Sequence, residues 1–165
     1  MTRHDAQTPQ TIGPGAADAL AQLRLQSDPD ALVMTNKHCR VGSLATGDCE
    51  PRWFAVAAFT ERRVLVEGYS YDYGWGRNPL NYGAPFGDPA LLAANDAFIA
   101  DPDPTECRIF IDRGVSWVFA DKRESWSPRL VDYGTVLVDN SEALVVELDP
   151  TCATSAETVA VGQRN

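Results

Sequence analysis

At 165 residues, with 44% hydrophobic and 22% charged residues, the chain is long enough to bury one ordinary core and too apolar to be a disordered segment. Its formal net charge of -9, with no basic run longer than Arg62-Arg63, excludes nucleic-acid binding, which needs a clustered cationic face. The longest apolar stretch, Trp53 to Phe59, falls far short of the roughly 20 residues that cross a bilayer. Met1 to Asp5 leads into no apolar run of the signal-peptide kind, so the expectation is a chain that neither spans a membrane nor carries its own export signal.

Residues 1–15 combine Pro9, Gly13, Pro14 and Gly15 with small polar residues and read as a flexible linker. From Ala16 the apolar positions Ala16, Ala19, Leu20 and Leu23 fall at helical spacing, and Ser27-Asp28-Pro29-Asp30 stops that helix. Ala31 to Met34 is a short apolar run of the buried-strand type. Trp53 to Phe59 is apolar and Ala-rich and reads as a buried helix or helical turn, and Arg63 to Glu67, β-branched and closed by Gly68, reads as a second strand. Tyr69 to Gly87 is crowded with Gly, Pro, Asn and Tyr, has no period of either kind, and reads as a long loop.

Asp88-Pro89 opens a helix whose buried stripe is Leu91, Leu92, Ala94, Ala97 and Phe98, and Asp101-Pro102-Asp103-Pro104 ends it. Thr105 then caps a second helix carrying Cys107, Ile109, Phe110 and Ile111 up to Gly114. Val115 to Ala120 is a third strand, followed by a weak helix over Glu124 to Leu130 that Pro128 interrupts. Gly134 to Val138 and Ala143 to Leu148, separated by Asp139-Asn140-Ser141-Glu142, form a hairpin, and residues 151–165 read as a flexible tail apart from Cys152. The order predicts one α/β domain over residues 16–150: a small mixed, partly parallel sheet in three layers, with flanking helices and a C-terminal β-hairpin.

Cys39, Cys49, Cys107 and Cys152 follow no CxxC spacing, and His4 and His38 are too few and too scattered to complete a zinc set, so no metal is expected. Cys39 and Cys49 bracket a polar, Gly-containing segment of a length that closes as a disulfide worth about 2–4 kcal/mol. That pairing places the chain in an oxidising compartment; four independent thiols in a reducing one is the competing reading. Cys107 and Cys152 are candidates for a second bridge whose connectivity the sequence leaves open.

No motif for cofactor chemistry is present. Gly74-Trp75-Gly76 lacks the Lys and the strand-to-helix setting of a phosphate-cradling loop, so no cofactor is expected. There is no G-x-S-x-G elbow, and His38, alone within the folded region, reads as a hydrogen-bonding partner beside the cysteine loop. Glu61, Glu67 and Asp72 supply carboxylates of the type glycoside chemistry uses, but surface acids are the norm in so acidic a chain. Arg62 and Arg63 suit bidentate recognition of an anion, with ion pairs to Glu61 or Glu67 as the competing reading.

Thr35-Asn36-Lys37-His38-Cys39, Cys49, Trp53-Phe54-Ala55-Val56 and Thr60 through Tyr69 together resemble the C-terminal soluble region of large actinobacterial multi-pass membrane proteins. The architecture of those proteins is similar to that of the integral-membrane glycosyltransferases that use lipid-linked sugar donors. Asp88 through Asp96 and Arg113 through Val118 extend the resemblance over roughly residues 16 to 148. It implies an extracytoplasmic domain at the cell membrane, partnered by a membrane-embedded portion of the same protein, with Cys39 and Cys49 bridged. Catalytic acids of such enzymes lie on loops of the membrane portion, so no catalytic residue carries over to this chain. Tyr69, Tyr71, Tyr73, Trp75 and Tyr82, in one Gly-rich segment beyond a strand end, offer flat faces with polar handles that suit sugar rings. With Arg62 they form the expected contact face for a glycan or lipid-linked sugar; packing of that segment on its own domain or on the membrane portion is the alternative.

Overall fold

A computed structural model describes residues 12–40, 42–44, 47, 49–50, 53–67 and 88–152. The first helix, α1 (Pro14–Gln26), buries Ala16, Ala19, Leu20 and Leu23 as a single stripe. It starts inside the segment expected to be linker, because Pro14 takes the first helical position, where a missing N–H costs nothing. Its open amino end is closed from across the molecule: the Glu142 carboxylate accepts from the amide of Ala16 at 2.9 Å, and the Asn140 amide donates to the carbonyl of Gly15. A carboxylate at that place satisfies an orphan donor and meets the positive end of the helix dipole.

Strand β1 (Leu32–Thr35) is followed by α2 (Ala55–Thr60) and by β2 (Arg63–Val64). β2 is shorter than the expected Arg63 to Glu67. Leu65 still donates its amide to Val33, but beyond it the chain turns and Glu67 closes the start of α2. Helices α3 (Pro89–Ala100) and α4 (Pro104–Asp112) lead to β3 (Val115–Asp121). Asp88 and Asp103 cap them, each ahead of a proline. The cap of α4 is therefore Asp103 and not the expected Thr105, whose amide is one of the donors that Asp103 accepts.

Pro128 likewise opens a helix and does not interrupt one over Glu124 to Leu130. A turn follows β3, and a 3-10 helix runs over Pro128–Tyr133 with Ser127 as its cap. The hairpin strands β4 (Gly134–Asp139) and β5 (Ala143–Leu148) complete the sheet. The side-chain oxygen of Asn140 accepts from the amides of Glu142 and Ala143, and so folds the connection between them.

The strand order is β2-β1-β3-β5-β4. β1 runs parallel to β2 and β3, and β5 runs antiparallel to β3 and β4. Alternation along the strands divides the core into two layers. Val33, Trp117, Phe119 and Val145 pack with Val56 and the stripe of α1 on one face. Met34, Val118, Leu144 and Val146 pack with Phe98, Ile99, Phe110, Leu130 and Tyr133 on the other. Burial on both faces explains why β1, β3 and β5 are almost continuously apolar in sequence. The result is the expected small α/β fold, a mixed five-stranded sheet between helical layers with a C-terminal hairpin.

Two disulfides close it, Cys39–Cys49 and Cys107–Cys152, and no described cysteine is free. The second ties the chain after β5 to α4, across 45 residues of sequence. Among the described residues no helix is long and apolar enough to cross a membrane.

Candidate functional site

After β1 the chain leaves towards α2 on one face, and after β3 it leaves towards the 3-10 helix on the other. Neighbouring parallel strands whose continuations diverge in this way open a crevice beyond their carboxyl ends, where ligands of α/β sheets bind. A cavity of about 120 Å³ lies there, lined by Asn36, His38, Cys39, Ser43, Leu44, Asp96, Glu124 and Ser125.

Its frame is built from the residues that follow β1. The Asn36 side chain donates to the carbonyls of Asp121 and Ser125 at 3.1 and 2.9 Å and accepts from the amide of Asp121 at 2.8 Å, which splices the two strand ends together. Lys37 is turned inward and pairs with Glu124 at 2.5 Å. His38 is turned inward too, with Nε2 at 2.7 Å from Oδ1 of Asp96. Asn95, the helix neighbour of Asp96 and fully buried, donates to that same oxygen and to the carbonyl of Thr35. α3 thereby presents Asp96 to the cleft from a fixed position. The Cys39–Cys49 bridge anchors the opposite wall.

The two lining carboxylates are each held by one oxygen only. His38 and Lys37 have side chains 1% and 6% exposed, whereas Asp96 and Glu124 are 35% and 20% exposed. Glu67, the last residue described before position 88, stands close enough to His38 for the histidine charge to act on it. Burial raises the Glu67 carboxyl from 4.5 to about 7, against the opposing pull of the Ala57 and Val56 amides and of His38. Next to the cleft, Asp121 receives Arg123 through Nε and Nη2 at 2.9 and 2.6 Å.

The residues expected from the sequence scatter. His38 occupies its expected structural place, hydrogen-bonded beside the disulfide loop. Arg62 does not reach the cleft. It precedes β2 at the amino end of the parallel strands, and its guanidinium donates to Ser27 Oγ and to the carbonyls of Arg24, Ser27, Thr60 and Glu61. All five of its N–H groups are thus engaged in clamping the ends of α1 and α2. Arg63 donates to the carbonyl of Asp30 on the same side. Glu61 and Glu67 stand at opposite ends of α2, Glu61 paired with Arg24 and Glu67 with the first helical amides, so they form no acid/base pair. Tyr69, Tyr71, Asp72, Tyr73, Trp75 and Tyr82 lie outside the described residues.

Asn36, Lys37, Asn95, Asp96, Glu124 and Ser125 were not singled out beforehand. Two signals in the sequence mark four of them, the polar run Asn36-Lys37-His38 directly after a buried strand and Asn95-Asp96 inside an otherwise apolar helix stripe, whereas nothing local marks Glu124 or Ser125. Among the described residues no three His, Cys, Asp or Glu side chains gather as a metal set. The chain matches no protein-family model, no curated protein and no solved structure.

Proposed function

We propose that the chain is a non-catalytic extracytoplasmic accessory domain of an integral-membrane glycosyltransferase-like protein, where it contacts a glycan or lipid-linked sugar. The observation that carries this reading is the polar cleft at the carboxyl ends of β1 and β3, walled on one side by a disulfide. Hydroxyl-rich ligands are held by fixed, planar hydrogen-bonding side chains with an apolar surface beside them. Carboxylates, hydroxyls, Leu44 and the Cys39–Cys49 bridge offer that combination here. Two disulfides fit a chain matured in an oxidising compartment, as an envelope protein requires. Tyr69, Tyr71, Tyr73, Trp75 and Tyr82 come within 15 residues of Glu67 in the sequence and are of the residue types that stack on sugar rings. The membrane partner rests on the resemblance of residues 16 to 148.

NMR titration of the 15N-labelled domain with cell-envelope oligosaccharides tests the proposal. Saturable shifts are expected at Asn36, Asp96 and the tyrosine-rich segment. The absence of any shift with every envelope sugar removes the glycan role.

A second reading, a rigid cap that packs on a membrane bundle, has one observation in its favour. Phe54 and Phe59, at the two ends of α2, remain exposed, as does Leu25 at the end of α1. Binding of the isolated domain to its membrane portion, abolished by Phe54→Ser with Phe59→Ser while sugar binding is absent, is the outcome that favours it.

A further inference from the structure

We infer that the cleft beyond β1 and β3 selects a neutral, hydroxyl-rich sugar ring and rejects a sugar acid or a phosphate. The inference deepens the proposed glycan contact and rests on it. Its basis is the direction in which each polar group of the cleft faces.

The amide of Asn36 and the cationic groups of Lys37 and His38, the described nitrogen-bearing side chains at the cavity, are turned onto protein acceptors. Both N–H groups of the Asn36 amide lie on the carbonyls of Asp121 and Ser125. Lys37 is held behind Glu124 and His38 behind Asp96, each with its side chain almost wholly buried. Nearby, Arg40 pairs with Glu50, and Arg123 is bidentate on Asp121. What remains open is a set of acceptors. Asp96 Oδ1 takes His38 and Asn95, and Glu124 Oε1 takes Lys37. Their second oxygens, Asp96 Oδ2 and Glu124 Oε2, receive no protein donor among the described residues.

An anion placed in this cleft meets two carboxylates, and no lysine or arginine is among the described lining residues. A neutral ring meets two acceptors for its hydroxyl protons, in charge-assisted bonds that are stronger than neutral ones. The Ser125 hydroxyl adds a group that either donates or accepts. Leu44 and Cys39, held in place by its disulfide, give the C–H side of the ring an apolar wall. The volume of about 120 Å³ corresponds to about four waters at their share of the liquid, so the cleft takes one hydroxyl-bearing edge of a ring and not an oligosaccharide.

The test is an amide-shift titration of the domain with methyl glycosides of glucose, galactose and mannose, and in parallel with glucuronate and inorganic phosphate. At least one neutral glycoside is expected to shift Asn36, Asp96 and Ser125 saturably, with glucuronate and phosphate leaving them unmoved at the same concentration. Asp96→Asn and Glu124→Gln are each expected to weaken that binding about tenfold, the loss of one charge-assisted bond. If either variant fails to fold, the shift map of the wild-type domain decides alone. Glucuronate or phosphate binding at these amides as tightly as the neutral glycosides overturns the inference and leaves the glycan contact standing. Neutral sugars that shift only residues remote from the cleft do the same. No shift with any saccharide overturns both.

Discussion

Glu67 holds the amides of Val56 and Ala57 on its two oxygens, at 2.8 Å each, and burial lifts its pKa to about 7. The folded chain therefore binds this proton more tightly than the unfolded chain, whose carboxyl titrates near 4.5. Its contribution to stability is complete below pH 4.5 and is lost as pH rises through 7. The shift corresponds to about 3 kcal/mol across that window. Glu67→Gln is expected to flatten urea stability between pH 5 and pH 8 while losing one of the two bonds to the helix amides, because the glutamine NH2 cannot accept; a variant that keeps the wild-type slope shows that the titrating group lies elsewhere. In sequence Glu67 is one acid among the 23 Asp and Glu residues, marked with Glu61 and Asp72 only as a carboxylate, and nothing in its neighbours reveals its burial. Its environment arises only when β2 ends early and turns it onto α2. Arg62 was misplaced for a related reason. The basic pair was visible, but its acceptors are carbonyls at the end of α1, 35 and 38 residues away in sequence.

At the level of elements, short-range chemistry carried most of the information. Pro14, Pro89, Pro104 and Pro128 each open a helix, and three of the four follow an Asp or Ser that caps it. Reading Pro128 as an interruption failed because a proline stops a helix it sits inside but starts one it precedes. Strands β1, β3 and β5 stand out from composition because both sides of the sheet are covered. β2 was overestimated, since its apolar residues serve the core after strand pairing has ended, Val66 being 1% exposed. Gly134 is an element-scale requirement that sequence alone does not reveal. A β-carbon there would fall on the backbone carbonyl of Glu147 in the partner strand β5. Gly134→Ala is accordingly expected to cost about 1–3 kcal/mol in chemical denaturation, as overpacking against backbone does. A loss within experimental error contradicts the tight β4–β5 register described here.

For the molecule as a whole, the order of strands and helices already implied a mixed sheet, and the chain crossing that creates the cleft follows from it. The cleft residues remained hidden because they converge from β1, α3 and the turn after β3, segments about 60 and 90 residues apart in sequence whose meeting depends on strand order. The two disulfides act at the same scale. Cys39–Cys49 fixes a wall of the cleft, and Cys107–Cys152 closes a span of 45 residues, for which loop entropy predicts about 4 kcal/mol. Both belong to the claim that this domain works outside the reducing interior. Intact mass of the native protein after alkylation without reduction tests that claim most directly. No alkyl adduct is predicted before reduction and four after it, one for each cysteine; adducts on Cys39 and Cys49 in native, unreduced material contradict it.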